Sequence, residues 1–278
     1  MPSWQRDQTA LFYEQKDGEQ RSILLVHGWC CNHTYLSPQF EHFASQGHGV
    51  VAVDLRGHGQ SDKPHQRYTM QVFADDLAWM CNQLNLVRPV VVGHSMGGIV
   101  AFDLAARYPA LPSAIVMLDA AVVLPSATRD AMPGLLEELQ SPNYRAALRA
   151  YVADTLFIPA DNPHRKERIL DAMSSTPQHV LVSAFEGLHD YDPTEAARGL
   201  PAPGLYIAAN EAKPRSDMVR FHELAPQILY GKTVGSGHFC QLEVPEQVNA
   251  MIDRFLAITL KAQCSVGIDQ GPLEVAQG

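Results

Sequence analysis

The chain has 278 residues, 46% of them hydrophobic, which is enough for one large domain or for a domain carrying an insertion. Twenty-one basic against thirty acidic side chains give a formal charge of −9, and the only basic run is the short HRKER at 164–168, which argues against nucleic acid or an anionic membrane as partner. Five cysteines at irregular positions (Cys30, Cys31, Cys81, Cys240, Cys264) make neither a CxxC pair nor a disulfide framework. No stretch approaches 18 uninterrupted apolar residues, and the N-terminal segment lacks an apolar run after a basic start. The expectation is a soluble cytoplasmic protein, monomer or homodimer, acting on a small molecule.

In chain order, SILLVHG (22–28) and GVVAVDLRGHG (49–59) have the length and branched apolar content of strands buried on both faces. YTMQVFADDLAWMCNQLNL (68–86) predicts a helix, PVVVGHS (89–95) a strand, GGIVAFDLAARYP (97–109) a helix and SAIVMLDA (113–120) a strand. From 122 to 194 the pattern becomes helix-like with proline punctuation and offers no buried strand. Alternation resumes with APGLYIAAN (202–210), QILYGKTVG (227–235) and a helix at 245–262, where Val248, Met251, Ile252, Phe255 and Leu256 share one face behind a first-turn Pro245. Strands and helices in alternation predict an α/β fold with a mostly parallel, doubly wound sheet. The expected division is a core of 1–121 and 195–262, a helical cap of 122–194 and a C-terminal tail of 263–278.

The sharpest local signal is GHSMG at 93–97, with a strand before it and a helix after it. A strand that turns directly into a helix strains its corner residue, and glycines at 93 and 97 let the flanking backbones approach. Ser95 is thereby exposed at the carboxyl edge of the sheet, beside the N–H groups that open the following helix. A serine hydroxyl needs a base. His238, in TVGSGHFCQLEVP after the last predicted strand, belongs to a loop on that same edge. His27 and His58 also lie on that edge, and each suits a structural role.

HGW after the first long strand, DLRGHGQSD after the next, GHSMGG at the corner and GSGHF near the end together resemble the α/β-hydrolase superfamily, over essentially the whole chain. The resemblance implies an α/β-hydrolase fold with a variable helical cap, and an oxyanion hole from the backbone N–H groups of Trp29 and Met96. The Trp29 side chain and His94 are expected to touch the substrate. The acid partner of His238 has three candidates: Glu211, at the position most members use; Asp119, after the preceding strand; and Asp217, six residues beyond Glu211. Position alone ranks Glu211 first, so on sequence grounds Glu211→Gln is expected to cost more turnover than Asp119→Asn.

These residues point to a serine hydrolase of the esterase or lactonase type, acting on a small, largely apolar carboxylic ester or lactone with no metal and no cofactor. A serine rather than an aspartate at the corner argues against dehalogenase and epoxide chemistry, and no HExxH pair or Cys/His cluster stands at metal-ligand spacing. Cap residues Leu135, Leu136, Leu139, Tyr144, Leu148, Tyr151, Phe157 and Ile158 are candidates for the pocket wall. Three other readings are compatible with these residues. HGWCCNH resembles the cofactor-free dioxygenases of N-heteroaromatic compounds on the same fold, although Cys31 and Met96 stand where that family has histidines. Carbon–carbon bond hydrolysis and a non-catalytic ligand receptor are the others.

Overall fold

The computed structural model describes residues 3–266. All six predicted strands form: β3 (Gln20–Val26), β4 (His48–Val53), β5 (Val90–His94), β6 (Ala114–Leu118), β7 (Gly204–Ala208) and β8 (Ile228–Lys232). Each is parallel to its neighbour among these six. Two further strands, β1 (Ser3–Arg6) and β2 (Thr9–Lys16), extend the sheet antiparallel to the order β1-β2-β4-β3-β5-β6-β7-β8. This hairpin has no counterpart in the sequence reading. Its edge strand is almost wholly exposed and so lacks an apolar run, and its two-residue turn uses Asp7 and Gln8 at positive φ in place of the usual Asn-Gly.

The strands are apolar on both faces because both are covered. Ile23, Leu25, Val90, Val92, Val116 and Ile207 pack with Phe40 and Phe43 of α1 (Ser37–Ser45) and with Val248, Ile252 and Phe255 of α11 (Pro245–Val266). The alternate residues Leu24, Val26, Val91, Ile115 and Met117 pack with Phe73 and Leu77 of α2 (Met70–Gln83) and Ile99 and Phe102 of α3 (Met96–Arg107). Successive side chains of a strand point to opposite faces, so one continuous run of β-branched residues serves both layers.

Between β6 and β7 the chain makes five helices: α4 (Ser126–Gln140), α5 (Tyr144–Thr155), α6 (Pro163–Ser174), α7 (Gln178–Asp190) and α8 (Pro193–Arg198). The last carries the helical stretch four residues beyond the expected boundary at 194. Two short helices follow, α9 (Met218–Leu224) and α10 (Cys240–Glu243). At the other end α11 continues to Val266, so the stretch read as a tail from 263 begins as helix, and residues 267–278 lie outside the described part. Among the described residues no helix is long and apolar enough to cross a membrane.

Candidate active site

The carboxyl ends of five adjacent strands deliver the site: the loop at 27–32 after β3, Ser95 after β5, Asp119 after β6, residues 209–217 after β7 and the His238 loop after β8. Ser95 sits between β5 and α3 at φ 54°, ψ −120°, a conformation that costs a non-glycine residue about 1–3 kcal/mol. The surroundings enforce it. The Ser95 N–H donates to the Leu118 carbonyl at 2.8 Å, and its own carbonyl accepts from Gly98 N–H at 2.9 Å. A Cβ at position 93 would lie 2.1 Å from the Gly97 carbonyl oxygen, and one at 97 would lie 2.3 Å from that of Val26. Only glycine at both positions lets strand and helix approach this closely.

His238 is buried, and its Nδ1–H donates to Asp119 Oδ2 at 2.7 Å. This bond assigns the proton to Nδ1 and leaves the Nε2 lone pair without another partner among the described residues. No hydrogen bond joins Nε2 to Ser95 Oγ there, and such contacts commonly tighten only once substrate is bound. The second oxygen of Asp119, Oδ1, accepts from Ala209 N–H at 2.9 Å. Burial alone would raise the Asp119 pKa. The hydrogen bond and charge of His238, the Arg215 guanidinium and the Ala209 N–H together outweigh it and hold the carboxyl below its ordinary value.

The three candidate carboxylates are thus separated by contact. Asp119, itself held at φ 46°, is the one bonded to His238. Glu211, ranked first by position, instead accepts from Arg215 Nη2 at 2.6 Å, and burial raises its pKa. Asp217 is exposed and caps α9, accepting from Arg220 N–H at 3.0 Å. Arg215, which sequence reasoning passed over, is half-buried between the two acids with its Nε 3.6 Å from Asp119 Oδ2. Its only signal was a spacing of four from Glu211. Asp119, Glu211 and His238 bring ligand atoms within 4.8 Å of one another, a spacing a metal ion could use. The donor chemistry does not suit one: the Nδ1 lone pair is protonated toward Asp119, and a guanidinium already supplies the positive charge.

Of the two residues expected to form an oxyanion hole, Met96 is the first of α3, so its N–H is one of those a helix leaves without an internal partner. The Trp29 N–H likewise has no partner among the described residues. Gly28 lies beneath the nucleophile, where a Cβ would come 3.0 Å from Ser95 Cβ. The Trp29 side chain is buried, donates from Nε1 to the Leu181 carbonyl of α7 at 3.0 Å and packs on Phe185, which in turn meets Tyr151 of α5. On the other side Phe157 packs on Phe239, beside His238.

Several expected roles change with burial. His94 is fully buried, its Nε2–H donates to the His238 carbonyl at 3.0 Å, and burial pushes its pKa down to about 3, so it supports the His238 loop from beneath rather than touching substrate. Leu139 and Leu148 are fully buried in the packing of α4 and α5 and line no open pocket, whereas Tyr151 and Phe157 are half-buried. His27 donates from Nδ1 to the Gly28 carbonyl and accepts from Leu55 N–H at Nε2, which ties the β3 loop to the β4 loop. Cys240 is buried and its thiol pKa lies well above the ordinary value, as desolvation dictates.

Comparison with known proteins gives a consistent result. The family model described as alpha/beta hydrolase fold matches residues 21–165. The AB hydrolase superfamily protein YisY of Bacillus subtilis is 26% identical, covering 86% of this chain and 92% of the relative. The putative carbamate hydrolase RutD of Pantoea ananatis is 31% identical over 71% of this chain and 73% of its own length. Among solved structures, a thermophilic esterase from Thermogutta terrifontis superposes with a TM-score of 0.80 at 26% identity, over 90% of this chain and 94% of the esterase. The enol-lactonase from Burkholderia xenovorans, at 22% identity, shares the fold with a TM-score of 0.82 over 92% of this chain and all of its own.

Proposed function

Because the chain belongs to the α/β-hydrolase fold family, we propose that it is a serine hydrolase that cleaves a small, largely apolar carboxylic ester or lactone through an acyl-enzyme on Ser95. The observation that carries this reading is the hydrogen bond from His238 Nδ1 to buried Asp119. It leaves Nε2 as the basic atom at the end of the sheet where Ser95 stands half-buried. In the first step Ser95 Oγ attacks the carbonyl carbon while its proton passes to Nε2. The oxyanion that forms is received by the Trp29 and Met96 N–H groups, each such donor being worth about 3–4 kcal/mol in comparable sites. Collapse breaks the carbon–oxygen bond, and the leaving oxygen takes the proton from His238; for a lactone that oxygen stays attached as a hydroxyl. Water then attacks the acyl-enzyme, gives its proton to Nε2, and the acid departs as the proton returns to Ser95. The imidazolium formed in each step is stabilised by Asp119.

Two aromatic clusters near the site support an apolar substrate: Trp29 with Phe185 and Tyr151, and Phe157 with Phe239 beside His238. Arg215 is occupied by Glu211 and Asp119, so it is not free to recruit a substrate anion. Ester-hydrolase neighbours such as the Thermogutta enzyme point the same way. The test is the time course of p-nitrophenyl butyrate hydrolysis. Turnover is expected in the wild type and a loss of about 10⁵–10⁶-fold in Ser95→Ala; turnover that survives the substitution overturns the reading. The position of Asp119 also suits a histidine–aspartate pair deprotonating an N-heteroaromatic substrate, and oxygen uptake with a hydroxyquinolone in the absence of ester turnover would favour that second reading.

A further inference from the structure

The backbone that carries His238 rests on the segment between α5 and α6. The His238 N–H donates to the Leu156 carbonyl at 3.2 Å, and the Gly237 N–H donates to Asp161 Oδ1 at 2.7 Å. Asp161 is buried and uses its second oxygen, Oδ2, to accept from Ile158 N–H at 2.8 Å, which closes the segment into a tight loop. The fit has no slack. A Cβ at position 237 would stand 2.3 Å from Asp161 Oδ2 and 3.1 Å from both the Ile158 nitrogen and the Leu156 oxygen. The contact continues past the histidine, where Asn162 N–H and Arg165 meet the Glu243 carboxylate. The ring of His238 is therefore fixed by the sheet through Asp119, while its backbone is fixed by the helices between β6 and β7.

We propose that Asp161 is a positioning residue for His238, holding Gly237 so that Nε2 is delivered to Ser95, and that the helices above the sheet thereby complete the catalytic base. The inference rests on the serine-hydrolase reading for its effect on turnover, and on geometry alone for its effect on the His238 ring. Asp161 touches neither substrate nor reacting atoms. Its influence passes through one backbone N–H and one peptide bond. Displacement of a reacting group by about 1 Å costs on the order of a hundredfold in rate, so a carboxylate this far from the chemistry has a measurable lever.

The experiment compares wild type, Asp161→Ala, Asp161→Asn and Gly237→Ala, with Ser95→Ala as reference. Four quantities are read: the rate of Ser95 labelling by an alkyl fluorophosphonate, kcat and KM for p-nitrophenyl butyrate, the ¹⁵N resonances of the His238 ring, and Tm. Asp161→Ala is expected to slow labelling and lower kcat by about ten- to a hundredfold with KM little changed, and to shift the His238 resonances. Asp161→Asn keeps one acceptor and is expected to fall between. If Asp161→Ala does not fold, Gly237→Ala disturbs the same contact from the other side and carries the same expectation. Wild-type labelling and unshifted His238 resonances in a folded Asp161→Ala protein overturn the proposal, as does a loss of activity that follows Tm with the ring unmoved. Failure of the underlying reading has a different signature, because wild type would then escape labelling or Ser95→Ala would keep its turnover. In that event the His238 resonances alone decide the role of Asp161.

Discussion

Ser95 and His238 both follow strands at the carboxyl end of the sheet, but they are held there by opposite means. Ser95 is fixed by the strand that ends and the helix that begins around two glycines, together with the adjoining strands that supply the Leu118 and Val26 carbonyls, and these hold its φ of 54°. His238 has no such local frame. Its ring is held by Asp119, 119 positions away in sequence, its backbone by Leu156 and Gly237 by Asp161, and its carbonyl receives His94. On the serine-hydrolase reading, a nucleophile held by the sheet and the helix that leaves it is in place whenever the sheet is folded. A base assembled from four separate pieces of chain is present only when all of them are seated.

The comparison can be broken most decisively at the acid. Asp119→Asn is expected to lower kcat for p-nitrophenyl butyrate by about 10³–10⁴-fold, because the amide no longer enforces the Nδ1–H tautomer. Glu211→Gln should cost less than about tenfold, since Arg215 retains an acceptor there. This ordering reverses the one expected from position along the chain, and equal losses in the two variants would show the base to be shared between both acids. The next largest effect belongs to the elbow and should appear as stability. Gly97→Ala forces a methyl to within 2.3 Å of the Val26 carbonyl oxygen and is expected to cost about 3 kcal/mol in urea unfolding. An unchanged midpoint would mean that the corner is not locally locked.

The smallest effect separates the sheet from the helices above it. Asp103, on α3, is buried near Tyr191 at the end of α7, and desolvation pushes its carboxyl up to about 6. A folded-state pKa above the unfolded one, about 3.9, means that the protonated form is favoured on folding. The stability this contributes is complete below about pH 4 and is lost as the pH rises through about 6. Asp103→Asn should therefore gain Tm relative to wild type at pH 8 by a few degrees, keep about half of that advantage at pH 5 and lose it below about pH 4. A gain of the same size at both pH values would exclude ionisation as its cause.

The same contrast explains what could be read from the chain without its structure. GHSMG announces the strand–helix corner within five residues, and the strands stand out as runs of Val, Ile and Leu, so the sheet and the Ser95 corner are legible in the sequence. Glu211 and Asp119 leave adjacent strands at the same edge and reach the same histidine loop. What separates them is Arg215, which takes Glu211, and that choice is a matter of side chains meeting in space. His94, beside Ser95 in sequence, is turned into the core by strand alternation, which its position in the chain does not announce. Asp161 gave no sign at all, since an acidic residue in a Pro-rich connection reads as a solvated turn.

Trp29 is tied through its indole N–H to Leu181 of α7, just as His238 is tied to Leu156. The Trp29 side chain and the His238 backbone are thus both anchored in the helices between β6 and β7. Attempts to alter substrate range by transplanting this helical layer from a relative would remove both anchors in a single exchange. A workable graft has to carry over a carbonyl at 181 and the 156–161 loop intact, leaving the inward aromatic positions of α5 and α7 as the ones free to diversify.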